Sequence, residues 1–223
     1  MSAVLQSQQS PTFTAKAVIS NDLADLSSIY EYDTHMCIVQ RPVSAPVRQF
    51  VRQLLQHPHD INVLQSVSIA SFDFQQLLPQ FTAWFGYREF CQDIADISRL
   101  FSDLFDLPQV GLRLHTLDKA MCPKFHVDKV PCRLICTYGG TGTEWLRDSD
   151  IDRSKLGLGA KGLADDVSGL LKAHAAIQTV PTDALALLKG TGWEGNEQHG
   201  LVHRSPQPSP ESPRRLLLTL DFA

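Results

Sequence analysis

Apolar residues recur at helical spacing in two stretches of the first half of the chain. Val47, Phe50, Val51, Leu54 and Leu55 share a face after Ser44-Ala45-Pro46, a helix start with proline in its first turn. Phe90, Ile94, Ile97, Leu100, Leu104 and Phe105 make a second stripe in a block from about Tyr87 to Phe105, which Pro108 closes. A shorter stripe of Leu23, Leu26, Ile29 and Tyr30 follows Asn21 and Asp22, either of which suits an N-cap. Cys37 to Val39 is a short apolar run of strand type.

After Pro108 the period changes. Val110, Leu112 and Leu114 alternate with Gly111, Arg113 and His115, a strand pattern. Phe125 to Asp128 and Arg133 to Tyr138 are further strands, with a glycine turn after the second. Arg147 to about Leu171 is charged and glycine-rich and reads as an inserted loop, with room for one short helix. Ala176 to Val180 and Ala184 to Leu188 read as a hairpin across Pro181-Thr182-Asp183. Leu201 to His203 and Arg215 to Phe222 complete the set. Helices followed by short strands predict an α+β fold, with a C-terminal β-barrel or jelly roll and the helices of the N-terminal half packed on it. The expected organisation is a disordered tail over 1–16 and one domain over 17–223, mainly helical to 108 and a β core over 109–223.

Composition narrows the class only a little. The 43% apolar and 20% charged fractions are those of a folded domain, and a net charge of −4 argues against nucleic acid as partner. No apolar run is long enough to span a bilayer, and the Gln/Ser-rich start lacks the features of a signal peptide. Five cysteines is an odd count, which suits a reducing cytoplasm better than a disulfide scaffold. One helical stripe remains free to serve as a homodimer contact.

The chemistry concentrates in Cys122-Pro123-Lys124-Phe125-His126-Val127-Asp128. In a strand, positions i and i+2 point the same way, so His126 and Asp128 present an imidazole and a carboxylate side by side. A distant histidine, His203, completes a 2-His-1-carboxylate set that holds a metal by one face and leaves the other open. Arg215 opens the last strand on the same face as Leu217 and Thr219, where its guanidinium could fork onto a carboxylate. Arg214 competes for that role but has the opposite parity. Arg133 and Tyr138 could reach a bound oxo-acid, Tyr138 having barrel packing as its bland alternative. His115 and Arg113 face either the pocket or solvent.

His-x-Asp, then a far histidine, then an arginine opening the last strand resembles the Fe(II)/2-oxoglutarate dioxygenases, over roughly residues 110–223. The resemblance implies a double-stranded β-helix with Fe(II) held by His126, Asp128 and His203. It also implies 2-oxoglutarate gripped at its distal carboxylate by Arg215 and supported by Thr219. A closer resemblance, over most of the chain, is to the bacterial domain-of-unknown-function family 1826. It is carried by Met121 to Asp128, Thr137-Tyr138 with Gly142-Thr143-Glu144-Trp145, Leu188-Lys189-Gly190, and Val202-His203-Arg204-Ser205-Pro206. That family brings no established activity. Its relatives are often encoded near zinc-responsive metallochaperone GTPases, a hint of metal limitation.

Two alternatives stay open. His-x-Asp is a weak motif, and the same donors suit zinc or manganese in a cupin-like metal-binding protein without redox turnover. Cys122, His126, Cys132 and Cys136 offer a separate zinc set, although buried inert thiols are the commoner fate of such cysteines. His199 reads as a loop residue. Trp145 and Trp193 either rim a barrel mouth or close the core. No motif names the substrate, small molecule or protein.

Overall fold

The computed structural model describes residues 15–223. Among these residues, ten strands and two α-helices are arranged as a seven-stranded sheet, a small three-stranded sheet facing it, and a helical layer on the large sheet's other side. The strands are β1 (Lys16–Ser20), β2 (Thr34–Val39), β3 (Asn62–Ser68), β4 (Gln109–Leu117), β5 (Cys132–Gly139), β6 (Glu144–Trp145), β7 (Gln178–Thr179), β8 (Leu185–Lys189), β9 (His203–Arg204) and β10 (Arg215–Phe222). The large sheet runs β1-β2-β8-β5-β10-β4-β3 and the small one β7-β6-β9. From β4 onward the chain passes back and forth between the two sheets, with residue 126 bridging residue 203 beside the small sheet. That winding is a double-stranded β-helix.

The helices form where the apolar stripes predict. α1 (Ala45–Gln56) starts with proline in its first turn and buries Val47, Phe50, Val51 and Leu54. α2 (Tyr87–Phe105) buries Phe90, Ile94, Ile97 and Phe101. It ends at Asp106 in the left-handed region, two residues before Pro108. Gly86 opens α2 at φ +82°, and a β-carbon there would lie 2.1 Å from the carbonyl oxygen of Pro46. Only glycine lets the two helix starts approach so closely. The stripe at Leu23–Tyr30 is a 3-10 helix rather than an α-helix. Asp22 caps it through the amide of Ala24, while Ser27 donates to the carbonyl of Ala24, a local bond that competes with α-helical pairing.

Four expectations are corrected. Strands are not confined to 109–223: β1, β2 and β3 supply three of the seven strands of the large sheet, so the β core draws on the N-terminal part as well. β1 and β3 are edge strands, and edge strands carry polar, weakly alternating sequence. The expected hairpin is split, because β7 pairs β6 in the small sheet while β8 pairs β2 and β5 in the large one. The 147–171 insertion holds three 3-10 turns rather than one short helix. The expected tail falls on residues 1–14, outside the described residues, while Lys16 already belongs to β1. No helix among the described residues is long and apolar enough to cross a membrane.

Candidate metal centre

His126 and His203 are brought together by backbone first. The amide of each donates to the carbonyl of the other at 3.0 Å, and the two rings stand 4.6 Å apart. His126 Nδ1 lies 2.9 Å from the carbonyl of Lys124 and His203 Nδ1 lies 3.1 Å from that of Leu201. A carbonyl only accepts, so each Nδ1 carries a proton and each Nε2 is left as the atom that can turn to a metal. Both Nε2 atoms meet Asp128: His203 Nε2 is 3.4 Å from Oδ2 and His126 Nε2 is 4.0 Å from Oδ1. Among the described residues these three are the group able to share one metal ion, with ligand atoms within 4.8 Å of one another.

Electrostatics keep the donors ready. Burial alone would raise the Asp128 pKa, but the hydrogen bond and charge of His203 and the guanidinium of Arg133 outweigh it and pull it down to about 2. Burial, and then the neighbouring His203, lowers the pKa of His126 and favours its neutral form. A carboxylate and two imidazoles whose Nε2 atoms converge on it form a donor set that fits Fe(II), and equally zinc or manganese.

Arg215 lines the same cavity as His126 and His203, together with His115, Thr143, Leu217 and Thr219. Its side chain is buried, with the residue 5% exposed. Nη2 donates to Thr143 Oγ1 at 3.2 Å, while Nε and Nη1 have no partner among the described residues. Burial lowers its pKa to about 10, so it remains a cation. A buried cation with two unmet donors beside the donor set fits a ligand carboxylate. Arg214 is turned away: it donates to the carbonyls of Leu55 and His57 and pairs with Asp60. Thr219, 8% exposed, lies on the Arg215 face as expected.

Tyr138 does not join the site, which corrects its assignment to the oxo-acid. It lies on the opposite face of β5 with Cys132, Leu134 and Cys136, stacks on Phe90, and donates to Asp93 of α2 at 2.6 Å. Cys132 and Cys136 are buried in the same core, and Cys122 is exposed at the cavity. The cysteine zinc set is therefore not assembled. Burial pushes the Cys136 thiol up to about 12 and that of Cys132 up as well, as expected of inert thiols. Trp145 closes the core between the sheets, and Trp193 packs against Tyr30 and Phe105 on the helical side.

The sequence reading missed Thr143 and Asp221. Asp221 shares the parity of Arg215, Leu217 and Thr219 on β10, which was the available signal. Arg133, expected on an oxo-acid, instead contacts Asp128 and Asp221. A separate cavity of about 230 Å³, lined by His35, Trp145, Arg153 and Val202 among others, includes none of the three donors.

The winding, the inward-facing donors and the buried arginine define a double-stranded β-helix protein with a 2-His-1-carboxylate donor set. The chain belongs to the family described as protein of unknown function (DUF1826), whose model matches residues 20–221. No curated protein matches it by sequence. Its fold is similar to that of a full-length Neurospora crassa protein solved in complex with alpha-KG, at 11% identity over 96% of this chain and 86% of that one, with a TM-score of 0.50. It is also similar to a candidate oxygenase from Shewanella oneidensis (11% identity, 94% and 89% covered, TM-score 0.51). A bsmA homolog from Methylobium petroleophilum matches at 8% identity, with 94% and 96% covered and a TM-score of 0.51. At these identities the likeness shows the fold.

Proposed function

We propose that the protein is an Fe(II)- and 2-oxoglutarate-dependent oxygenase. The observation that carries this reading is Arg215, a buried cation with two unmet donors in the cavity of the metal-ligand group. A metal-storing or metal-sensing protein has no use for a desolvated, unpaired guanidinium, which destabilises the fold that carries it. The structural likeness to a protein solved with alpha-KG supports the same reading.

His126, Asp128 and His203 would hold Fe(II) by one face. Arg215 would take the distal carboxylate of 2-oxoglutarate through its guanidinium, and Thr219 would sit against it. When bound, the iron and the oxo-acid supply the oxidising chemistry. The chain's own part is to present two Nε2 lone pairs and one ionised carboxylate, to fix the co-substrate by its far end, and to exclude water behind Leu217 and Ile135.

The test is anaerobic. Protein loaded with Fe(II) and then given 2-oxoglutarate should develop the weak visible charge-transfer band of the chelate, and His126→Ala should abolish it. Stoichiometric metal with no band would overturn the oxygenase and favour a zinc- or manganese-binding protein of the same fold.

A further inference from the structure

Arg133 and Asp221 belong to neither the donor set nor the expected 2-oxoglutarate grip, yet they form the most fully engaged charged group beside it. Arg133 Nη1 meets Asp128 Oδ2 at 2.8 Å. Its Nε and Nη2 meet the two carboxylate oxygens of Asp221 at 2.7 and 3.1 Å, a fork-on-fork pair. Arg113 Nη2 adds a contact to Asp221 Oδ2 at 3.2 Å. The side chains of Arg133, Asp128 and Asp221 are 18%, 12% and 7% exposed, so the chain of contacts runs largely out of solvent. Three β-strands are tied in it: β4 through Arg113, β5 through Arg133 and β10 through Asp221.

We propose that Arg133, anchored by Asp221, is a positioning residue that holds the Asp128 carboxylate in its metal-binding orientation and thereby sets metal affinity. This rests on the metal centre of the proposed function. Asp128 lies in irregular chain between His126 and β5; its carbonyl accepts from the amide and hydroxyl of Thr191, which hold the backbone and leave the carboxylate to its side-chain partners. Its orientation is supplied from the sheet floor by a guanidinium whose own rotation is blocked by the forked pair with Asp221. A cation this close to a divalent ion would otherwise repel it. Asp221, which also meets Arg113, offsets part of that charge, and Arg133 and Asp221 act as one clamp. Lysine cannot replace the arginine fully, because one ammonium cannot reproduce two parallel bonds to Asp221 and a third to Asp128.

The probe is Mn(II) alone, titrated against the full chain and followed by the signal of the free ion in electron paramagnetic resonance. Partners of metal ligands typically set about 10- to 100-fold in affinity, and Arg133→Met is expected to weaken Mn(II) binding within that range. Arg133→Lys should recover part of the loss. Asp221→Asn should also weaken binding, and the double variant should lose less than the product of the two single effects, because each residue acts through the other. The Co(II) absorption spectrum should change shape in Arg133→Met, reporting an altered carboxylate ligand in a way that a stability defect would not. Equal Mn(II) affinity in wild type and Arg133→Met, or an unchanged Co(II) spectrum, would overturn the clamp. If Arg133→Met fails to fold, Arg133→Lys and Asp221→Asn carry the test by the same two readouts. Wild-type protein that binds no Mn(II) would instead overturn the metal centre itself, a result distinct from tight binding in every variant.

Discussion

The two faces of the large sheet treat their buried polar groups in opposite ways. On the helical face most demands are met, Asp183 Oδ1 being an exception. Tyr138 donates to Asp93, Arg41 forks onto the same carboxylate at 2.6 and 2.8 Å, and Lys189 donates to the carbonyl of Glu31 while lying over the ring of Trp193. On the face turned to the small sheet, β4, β5 and β10 leave His115 Nε2, Thr137 Oγ1 and two nitrogens of Arg215 without partners among the described residues. Both faces are built from the same strands, so local backbone does not explain the difference. An unmet buried donor costs about 1–3 kcal/mol, a cost the helical face avoids and the barrel face retains. That retained cost is what the proposed co-substrate would relieve.

The comparison breaks most sharply at the donors. His203→Ala should abolish stoichiometric metal binding, read by elemental analysis after dialysis, and leave the helical face folded by near-ultraviolet circular dichroism. Next comes Arg215→Met, for which two readouts should move in opposite directions. Calorimetric 2-oxoglutarate affinity of the Fe(II) protein should fall by about one to two orders of magnitude, the worth of hydrogen bonds to a charged group. The ligand-free protein should gain stability, about 1–4 kcal/mol, because an unpaired buried cation is replaced by an apolar chain. A loss of stability in that variant would mean the guanidinium is already satisfied.

Tyr138→Phe is the mirror experiment. It should cost about 1.5–3 kcal/mol in urea unfolding, since the lost bond is to a carboxylate, and leave 2-oxoglutarate affinity unchanged. The smallest effect concerns pH. Burial, and then the charge of Lys189, holds the pKa of His35 near 4, below the ordinary 6.5. On acidification the unfolded chain binds that proton first. Stability contributed by neutral His35 should therefore be complete above pH 6.5 and decline as pH falls from 6.5 through 4. His35→Gln should flatten that part of the urea-midpoint profile.

Much of this was legible where one physical signal acted alone. α2 spans Tyr87–Phe105 and β10 spans Arg215–Phe222, as periodicity indicated, because each has unambiguous punctuation at one end. The parity argument that chose Arg215 over Arg214 matches the observed orientations, since β10 alternates leucines toward the helices with Arg215, Thr219 and Asp221 toward the barrel. β5 hid its orientation because both of its faces are buried, and an apolar run on both parities does not say which way a tyrosine points. Arg133 held the answer, as its parity is opposite to that of Tyr138. β1 and β3 escaped notice because edge strands need not alternate strongly. The clamp on Asp128 was out of reach, since it depends on β5 and β10 being neighbours, a fact of topology rather than of local pattern.

The position of β10 carries a consequence for how the protein is made. It is the last of the described strands in chain order, yet it sits in the middle of the sheet, between β5 and β4. Until it is inserted, β3 with β4 and β1-β2-β8 with β5 are two separate half-sheets, each with a long unpaired edge. A nascent chain halted before Arg215 would expose both edges to neighbouring chains, and its contacts would be closed only by pairings far apart in sequence, which form slowly.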